Sequence, residues 1–426
     1  LNAANGLLLF LRMATPSLPS WFCAQIGARE HYAIPRALHQ TGRLTGLYTD
    51  FWAGPLTRSL LPRHGALGAL ASRFHPDLAG AEIKSWNFRA LAWEAGLRRG
   101  SREDGIHNTY SGFIEVGRKF ASVVRDQLRR RAISPKDTVF FAYDTGALET
   151  FEWLHEHGIT CVLDQMDPSR IEVNLVREEE KRWPGWVVGA TEVPEEYFRR
   201  REQEWALADR VVVNSEFSRQ ALIRQGVPAD KLTVIPLCYE SGFPREDDRR
   251  AVFRQPPLKV LFLGRVILRK GIQHLMEAAK LLRAEPVHFD VVGPIGISHD
   301  AVKSAPPNMT FHGRANRDQA GAWYQQADIF VLPTLSDGFA LTQIEAMAHG
   351  LPVIATPNCG EVVTDGADGF IVPPRDAISL AKAVHRYLVE PELLIVHRVA
   401  ALKKSEQFKL GHLVEKILSL EAELRR

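Results

Sequence analysis

The sequence predicts two α/β domains, each a parallel sheet covered by helices, on three observations. The chain has 426 residues, beyond the roughly 250–300 over which a single core keeps growing. Hydrophobic residues make up 45% and charged residues 24%, ordinary globular values that argue against disorder over most of the chain. Short apolar runs alternate with Gly-containing turns and helix-length segments, the texture of βαβ units.

The net charge of +3 is close to neutral for this length and gives no argument for a nucleic-acid partner. Cys23, Cys161, Cys238 and Cys359 lie in or beside apolar runs without metal-ligand spacing. Buried, reduced thiols in a cytoplasmic protein are therefore expected. Leu7 to Leu11 is too short to span a bilayer and Arg12 interrupts it; nothing is built on the residues before Met13.

In chain order, Trp21 to Ile26 reads as a strand, Gly27-Ala28 as a turn, and Arg29 to Gln40 as a helix ending at Gly42. From Phe51 to about Arg131 the pattern blurs into turns and basic helices carrying Trp86, Trp93 and Phe113. Through residue 131 Lys and Arg outnumber Asp and Glu, 18 against 9. A solvated basic surface is the plainer reading; docking to an anionic acceptor or to the periphery of a membrane is the functional one. Thr138 to Tyr143 is a strand, Thr145 to His157 a helix, and Thr160 to Gln165 the next strand. Asp167-Pro168 follows, as a polar functional group or a turn former. Arg177 to Arg182 reads as a solvated helical face. After a helix ending at Ala208, Asp209 to Ser215 is a strand, Ser215 or Ser218 can cap the helix running to Gly226, and Lys231 to Pro236 closes the unit. Residues 239–257, rich in Pro, Arg and Asp, read as a linker.

The second half repeats the alternation: strands at Leu258 to Leu263, Phe289 to Gly293 and Met309 to Gly313, and then the stretch around which the chain is organised. Asp328 to Pro333 and Leu351 to Ala355 read as buried parallel strands. Between them, Asp337-Gly338-Phe339-Ala340-Leu341-Thr342-Gln343-Ile344-Glu345 is a loop and short helix, closed by Gly350. Gly338 permits close approach of the backbone to a ligand, and the N–H groups near Leu341 and Thr342 offer a phosphate site. Asp337 and Glu345 are carboxylates able to accept hydrogen bonds from hydroxyls. The spacing Thr342-x-x-Glu345 is also that of a capping box, in which Glu345 would only satisfy the N–H of Thr342.

Asp-Gly-Phe-Ala-Leu-Thr-x-x-Glu-Ala-Met-Ala-x-Gly-x-Pro-Val-Ile closely resembles the Glu-x7-Glu signature of the retaining glycosyltransferases of family 4 (glycosyl transferases group 1). The first Glu of that signature is Asp337 here, one methylene shorter. Gly264-Arg265-Val266-Ile267-Leu268-Arg269-Lys270-Gly271 is similar to the family's Gly-Arg-x4-Lys-Gly, and Ala208 to Pro236 to the stretch before its hinge. The resemblance is strong from about Ala208 to Leu388 and faint before.

The resemblance implies the GT-B fold: two Rossmann-like domains facing across a cleft. It divides the chain into an acceptor-side domain (1–238), a linker (239–257), a nucleotide-sugar domain (258–390) and C-terminal helices (391–426) crossing back to the first domain. It further implies that Arg265 and Lys270 clasp a donor diphosphate, stabilising the charge that the leaving group gains as the glycosidic bond breaks. The donor would lie along Gly264, Gly338, Phe339, Ala340, Leu341 and Thr342, with Glu345 on its distant hydroxyls and Asp337 at its sugar. Gly293 falls where the family has a turn near the nucleoside, and Gly27 in the first loop, which faces the acceptor and the donor phosphates. Many members have a His after the strand ending at Gln165; here Asp167 is the candidate for that place.

The reaction so implied is transfer of a sugar, with retained configuration, from a nucleotide diphosphate sugar to a sugar, lipid or small-molecule acceptor. No cofactor is called for, and without an Asp-x-Asp pair no metal site is expected. A sugar-nucleotide epimerase and a non-catalytic nucleotide-sugar-binding subunit are the alternatives on the same fold.

Overall fold

The computed structural model describes residues 19–54, 57–58, 70–187, 192–239, 256–315 and 317–425, except 101–105. Most of the expected linker, 240–255, lies outside them.

Two fully parallel sheets carry the molecule. The first runs β3-β2-β1-β4-β5-β6-β7, from β1 (Ser20–Gln25), β2 (Leu44–Thr49), β3 (Ile83–Ser85), β4 (Thr138–Tyr143), β5 (Thr160–Gln165), β6 (Arg210–Val213) and β7 (Leu232–Val234). The second runs β10-β9-β8-β11-β12-β13, from β8 (Leu258–Leu263), β9 (Val287–Val292), β10 (Met309–Gly313), β11 (Ile329–Leu332), β12 (Val353–Ala355) and β13 (Gly369–Ile371). β4 and β11 are buried along their whole length, as strands covered by helices on both faces must be. Side chains alternate between the faces: Phe22, Ala24, Phe140 and Ala142 enter one core, and Trp21, Cys23, Val139 and Phe141 the other.

Strand order reverses between β1 and β4 in the first sheet and between β8 and β11 in the second. In open parallel sheets the crevice beyond the strand ends at such a reversal is the usual place for a ligand. The crossing back to the first domain is made by the helix Leu410–Leu424. Its Leu413, Ile417 and Leu420 join the core around Trp21, and Glu421 accepts from Trp21 Nε1 at 2.9 Å and from Arg43 Nε at 2.8 Å.

Three local readings change. The segment after β1 is not one helix from Arg29: a short turn, with φ of 50°, 51° and 61° at Glu30, His31 and Tyr32, precedes the helix Ala33–Gln40. A helix begun at Arg29 would place Pro35 in its interior, where the ring clashes with the preceding turn; begun at Ala33, it holds Pro35 in its first turn. The helix after β4 starts at Leu148, not Thr145. Buried Glu204 accepts from the N–H groups of Thr145, Ala147 and Leu148 at 2.7, 3.0 and 3.1 Å, capping that end from another helix.

The third change concerns Arg177 to Arg182, which is not wholly solvated. Glu179 is fully buried and accepts from Gln273 Nε2 at 3.0 Å, faces His274 Nε2 at 3.2 Å and pairs with Arg375. These partners belong to the second domain. A carboxylate at that spot is an interdomain tie, because its buried charge is met by a cation and by hydrogen bonds. Burial acts to raise its pKa, but the bonds from His274 and Gln273 and the charge of Arg375 outweigh it and hold the group at about 2. The four cysteines form no disulfide, and Cys238 is half-buried where the others are buried. No described helix is long and apolar enough to cross a membrane.

Candidate functional site

At the reversal of the second sheet, the loop after β8 faces the loop after β11. Gly264 follows β8, and a Cβ added there would meet nothing within 4 Å. Gly293, at φ 145°, stacks on Gly264 so closely that a Cβ would collide with its carbonyl, so only glycine fits. Gly271, at φ 76°, rests in the same manner on the Pro333 carbonyl. The two contacts fix the ends of the Arg265 to Lys270 loop, one against the turn after β9 and the other against the end of β11.

Lys270 Nζ pairs with Asp337 Oδ2. Arg269 Nη1 lies 3.8 Å from Asp337 Oδ1 and 2.9 Å from Glu172 Oε2 of the first domain. Ser336 Oγ donates to the same Glu172 oxygen at 2.9 Å. Burial would raise the pKa of Asp337, but Lys270 and Arg269 override it and hold the carboxyl below the usual range. Glu172 is raised, by burial first, against the pull of Arg269. Arg265 is exposed at the rim, and no side-chain hydrogen bond or ion pair engages it among the described residues. It remains free for an anionic ligand, whereas Arg269 is engaged across the domain boundary.

The helix after Asp337 spans Leu341–Ala348, with Ala340 as N-cap and no side-chain cap. Glu345 therefore sits beyond the third helical position that a capping box requires. It accepts from Tyr324 Oη at 2.8 Å, and Tyr324 stacks on His349 with ring centroids 4.9 Å apart. Ala340 N–H is taken by the Cys359 carbonyl at 3.1 Å. Phe339 packs inward, its ring against Gly360 and 6.0 Å from that of Phe408. Leu341 is half-buried against the core and Thr342 half-buried beside it. Gly338 corrects the sequence reading: what comes too close for a Cβ is the Met166 carbonyl and the Asn214 side chain of the first domain, so the glycine allows the domains to meet there.

Across that contact, Asp167 follows β5. Its Oδ2 accepts from Arg201 Nη2 at 2.8 Å and its Oδ1 from Ser169 N at 2.7 Å. Burial opposes ionisation, but Arg201 and these bonds hold the carboxyl below the usual range. Arg201, itself buried, also donates to Asp144 Oδ2 from Nε at 2.9 Å. Asp167 lines a cavity of about 360 Å³ at the reversal of the first sheet, shared with Gln25, Arg29, Asp50, Arg73 and Tyr143 among others. Gly27, at φ 78°, donates its N–H to Asp50 Oδ1 at 2.8 Å on the cavity's edge. The structure thus brings Lys270 to Asp337, leaves Arg265 at the rim and places Asp167 in the first domain's cavity wall. Glu172, Arg201, Ser336 and Tyr324 were not foreseen. Each acts through a partner distant in sequence, and no motif marks it. No group of three or more His, Cys, Asp or Glu side chains converges to hold a metal ion among the described residues.

Residues 257–390 match the sequence family Glycosyl transferases group 1. The matched stretch carries all six strands of the second sheet. The D-inositol 3-phosphate glycosyltransferase of Streptomyces bingchenggensis is 30% identical over 240 residues, 49% of this chain and 51% of the relative. That of Thermobifida fusca is 28% identical over 235 residues, 48% and 52%. The chain spans about half the length of the curated relatives it matches. Among solved structures, HepE of Anabaena in complex with UDP and glucose superposes with a TM-score of 0.56 at 16% identity, covering 94% of this chain and 99% of that one. The sucrose-phosphate synthase of Thermosynechococcus elongatus superposes at 0.57 and 17%, covering 95% and 99%. The two sheets together form the GT-B fold, and the Lys270–Asp337 pair lies within the matched residues.

Proposed function

We propose that the protein transfers a sugar from a nucleotide diphosphate sugar to an acceptor hydroxyl, with retention of anomeric configuration and without a metal ion. The observation that carries this reading is the paired Lys270 and Asp337, inside the residues that match glycosyl transferases group 1 and at the reversal of the second sheet. HepE, which shares the fold, was crystallised with UDP and glucose, which favours a nucleotide-sugar donor here.

Lys270 and the unengaged Arg265 place fixed positive charge where the diphosphate would gain negative charge as the bond to the sugar breaks. Charge held in place before the reaction lowers the barrier without reorganising at the moment of reaction. Asp337, kept ionised by Lys270 and Arg269, is suited to accept from hydroxyls of the donor sugar. Glu345, held by Tyr324, is suited to accept from the ribose. Asp167 lies on the acceptor side.

The test is incubation with UDP-, GDP- and ADP-sugars, with and without acceptor alcohols, in excess chelator, with product configuration read by NMR. Retained configuration in chelator is expected. Conversion of the donor alone into an epimer would replace this reading with the epimerase; nucleotide-sugar binding without turnover would replace it with the binding subunit. Loss of transfer in chelator, restored by a divalent ion, would remove the metal-free part.

A further inference from the structure

The cavity of the first domain holds three guanidinium groups on or behind its wall, and they are not equivalent. Arg73 is paired with Asp50. Arg201 bridges Asp144 and Asp167. Arg29 has no hydrogen bond or ion pair among the described residues and lies with its guanidinium 5.7 Å from the centre of the Tyr143 ring. It is half-buried and lines the cavity, delivered there by the left-handed turn Glu30 to Tyr32. Burial raises the carboxyl of Glu30 to about 7 and that of Asp164 well above the ordinary range, each against the pull of Arg29.

A second polar group is left over. Gln25 is 1% exposed, donates from Nε2 to Gly27 O at 2.9 Å, and its Oε1 finds no partner. Buried polar atoms are nearly always satisfied, and Gln25 is among the residues that line the same cavity as Arg29. A group that donates a hydrogen bond, such as a hydroxyl, would complete it. The volume lies within the range of small-molecule sites, and Tyr143 lines it with both groups.

We propose that the cavity binds a small hydroxylated anion, a sugar or polyol bearing a phosphate or carboxylate, with the anionic group on Arg29 and a hydroxyl on Gln25. The inference rests on the functional reading above in one respect: it makes this anion the acceptor. Arg29 is suited to the task because a guanidinium meets phosphate or carboxylate with two parallel hydrogen bonds.

The test titrates glucose 6-phosphate, glucuronate and glucose into the full chain by calorimetry, with and without UDP. At least one of the two anions is expected to bind tenfold or more tightly than glucose, and which one does so identifies phosphate or carboxylate as the source. Arg29→Gln should abolish that preference, and Arg29→Lys should keep part of it, with melting temperatures within a degree or two of the parent to show that both variants fold. Equal binding of anions and glucose, binding of none of the three, or a preference that survives in Arg29→Gln would overturn the proposal. UDP affinity reports separately on the nucleotide-sugar reading. A chain that ignores UDP yet prefers the anion through Arg29 would keep the site and lose only its role as acceptor site.

Discussion

The reversal points of the two sheets share a plan and differ in what fills them. Gly27 after β1 and Gly264 after β8 both leave open space where a side chain would begin, and an acid follows the strand across each reversal: Asp144 after β4, Asp337 beyond β11. In the second sheet a chain of charges, Lys270, Asp337, Arg269 and Glu172, occupies the crevice. In the first, the cations Arg73 and Arg201 are turned into the wall and the crevice stays hollow. The same backbone device therefore builds two kinds of crevice. One is lined by charge held on two adjacent loops, the other is a cavity whose walls come from many separate elements.

The strongest test of this contrast is the buried guanidinium of the first region. Arg201→Met should cost about 3–5 kcal/mol in urea unfolding, because it strands the carboxylates of Asp144 and Asp167 away from water. A loss under about 1 kcal/mol would show that the hollow wall does not depend on buried charge.

In the second region the expected loss is catalytic. Lys270→Ala should lower kcat by roughly 10²–10³, comparable to removing one oxyanion donor, and Lys270→Arg should recover part. Since a cation that acts on developing charge lowers the barrier itself, an unchanged rate at saturating donor would reduce Lys270 to an anchor.

The tie between the regions is expected to respond to acid. Glu179 has a folded-state pKa near 2 against an ordinary 4.5, so its contribution to stability is complete above pH 4.5 and is lost as pH falls toward 2. Unfolding followed from pH 5 to 3 should therefore weaken more steeply in the parent than in Glu179→Gln. Parallel curves would show that this carboxylate contributes nothing through its charge.

The smallest effect belongs to Tyr324→Phe, which removes the hydrogen bond to Glu345. A stability loss of about 0.5–1.5 kcal/mol is expected, with weaker nucleotide binding if Glu345 needs its tyrosine to stay aimed at the ribose. Unchanged nucleotide affinity in calorimetry would detach Tyr324 from the site.

The same contrast explains what could be read from the sequence. The second domain was legible because its functional groups ride on short contiguous loops: Gly264 to Gly271 and Asp337 to Glu345 are each one turn between a strand and a helix. The capping-box alternative for Glu345 falls away in the structure, since the N-cap is Ala340 and not Thr342. Glu179 was misread because six charged residues in a row look solvated, while its partners Gln273, His274 and Arg375 come from 94 to 196 positions away. Arg201 is the last of three consecutive arginines in one helix and nothing in the local pattern sets it apart, yet it is 1% exposed. The first domain's site arises from such long-range pairings, and no local pattern encodes them.

The helix Leu410–Leu424 carries one more implication. Because Leu413, Ile417, Leu420 and Glu421 complete the core around Trp21, the first domain as a folding unit is discontinuous in the chain. An engineer exchanging acceptor specificity between relatives would need to graft the last helix along with the first 238 residues. A transplant cut only at the linker would leave Trp21 uncovered and two helix faces mismatched, and should yield an insoluble hybrid where the two-piece graft folds.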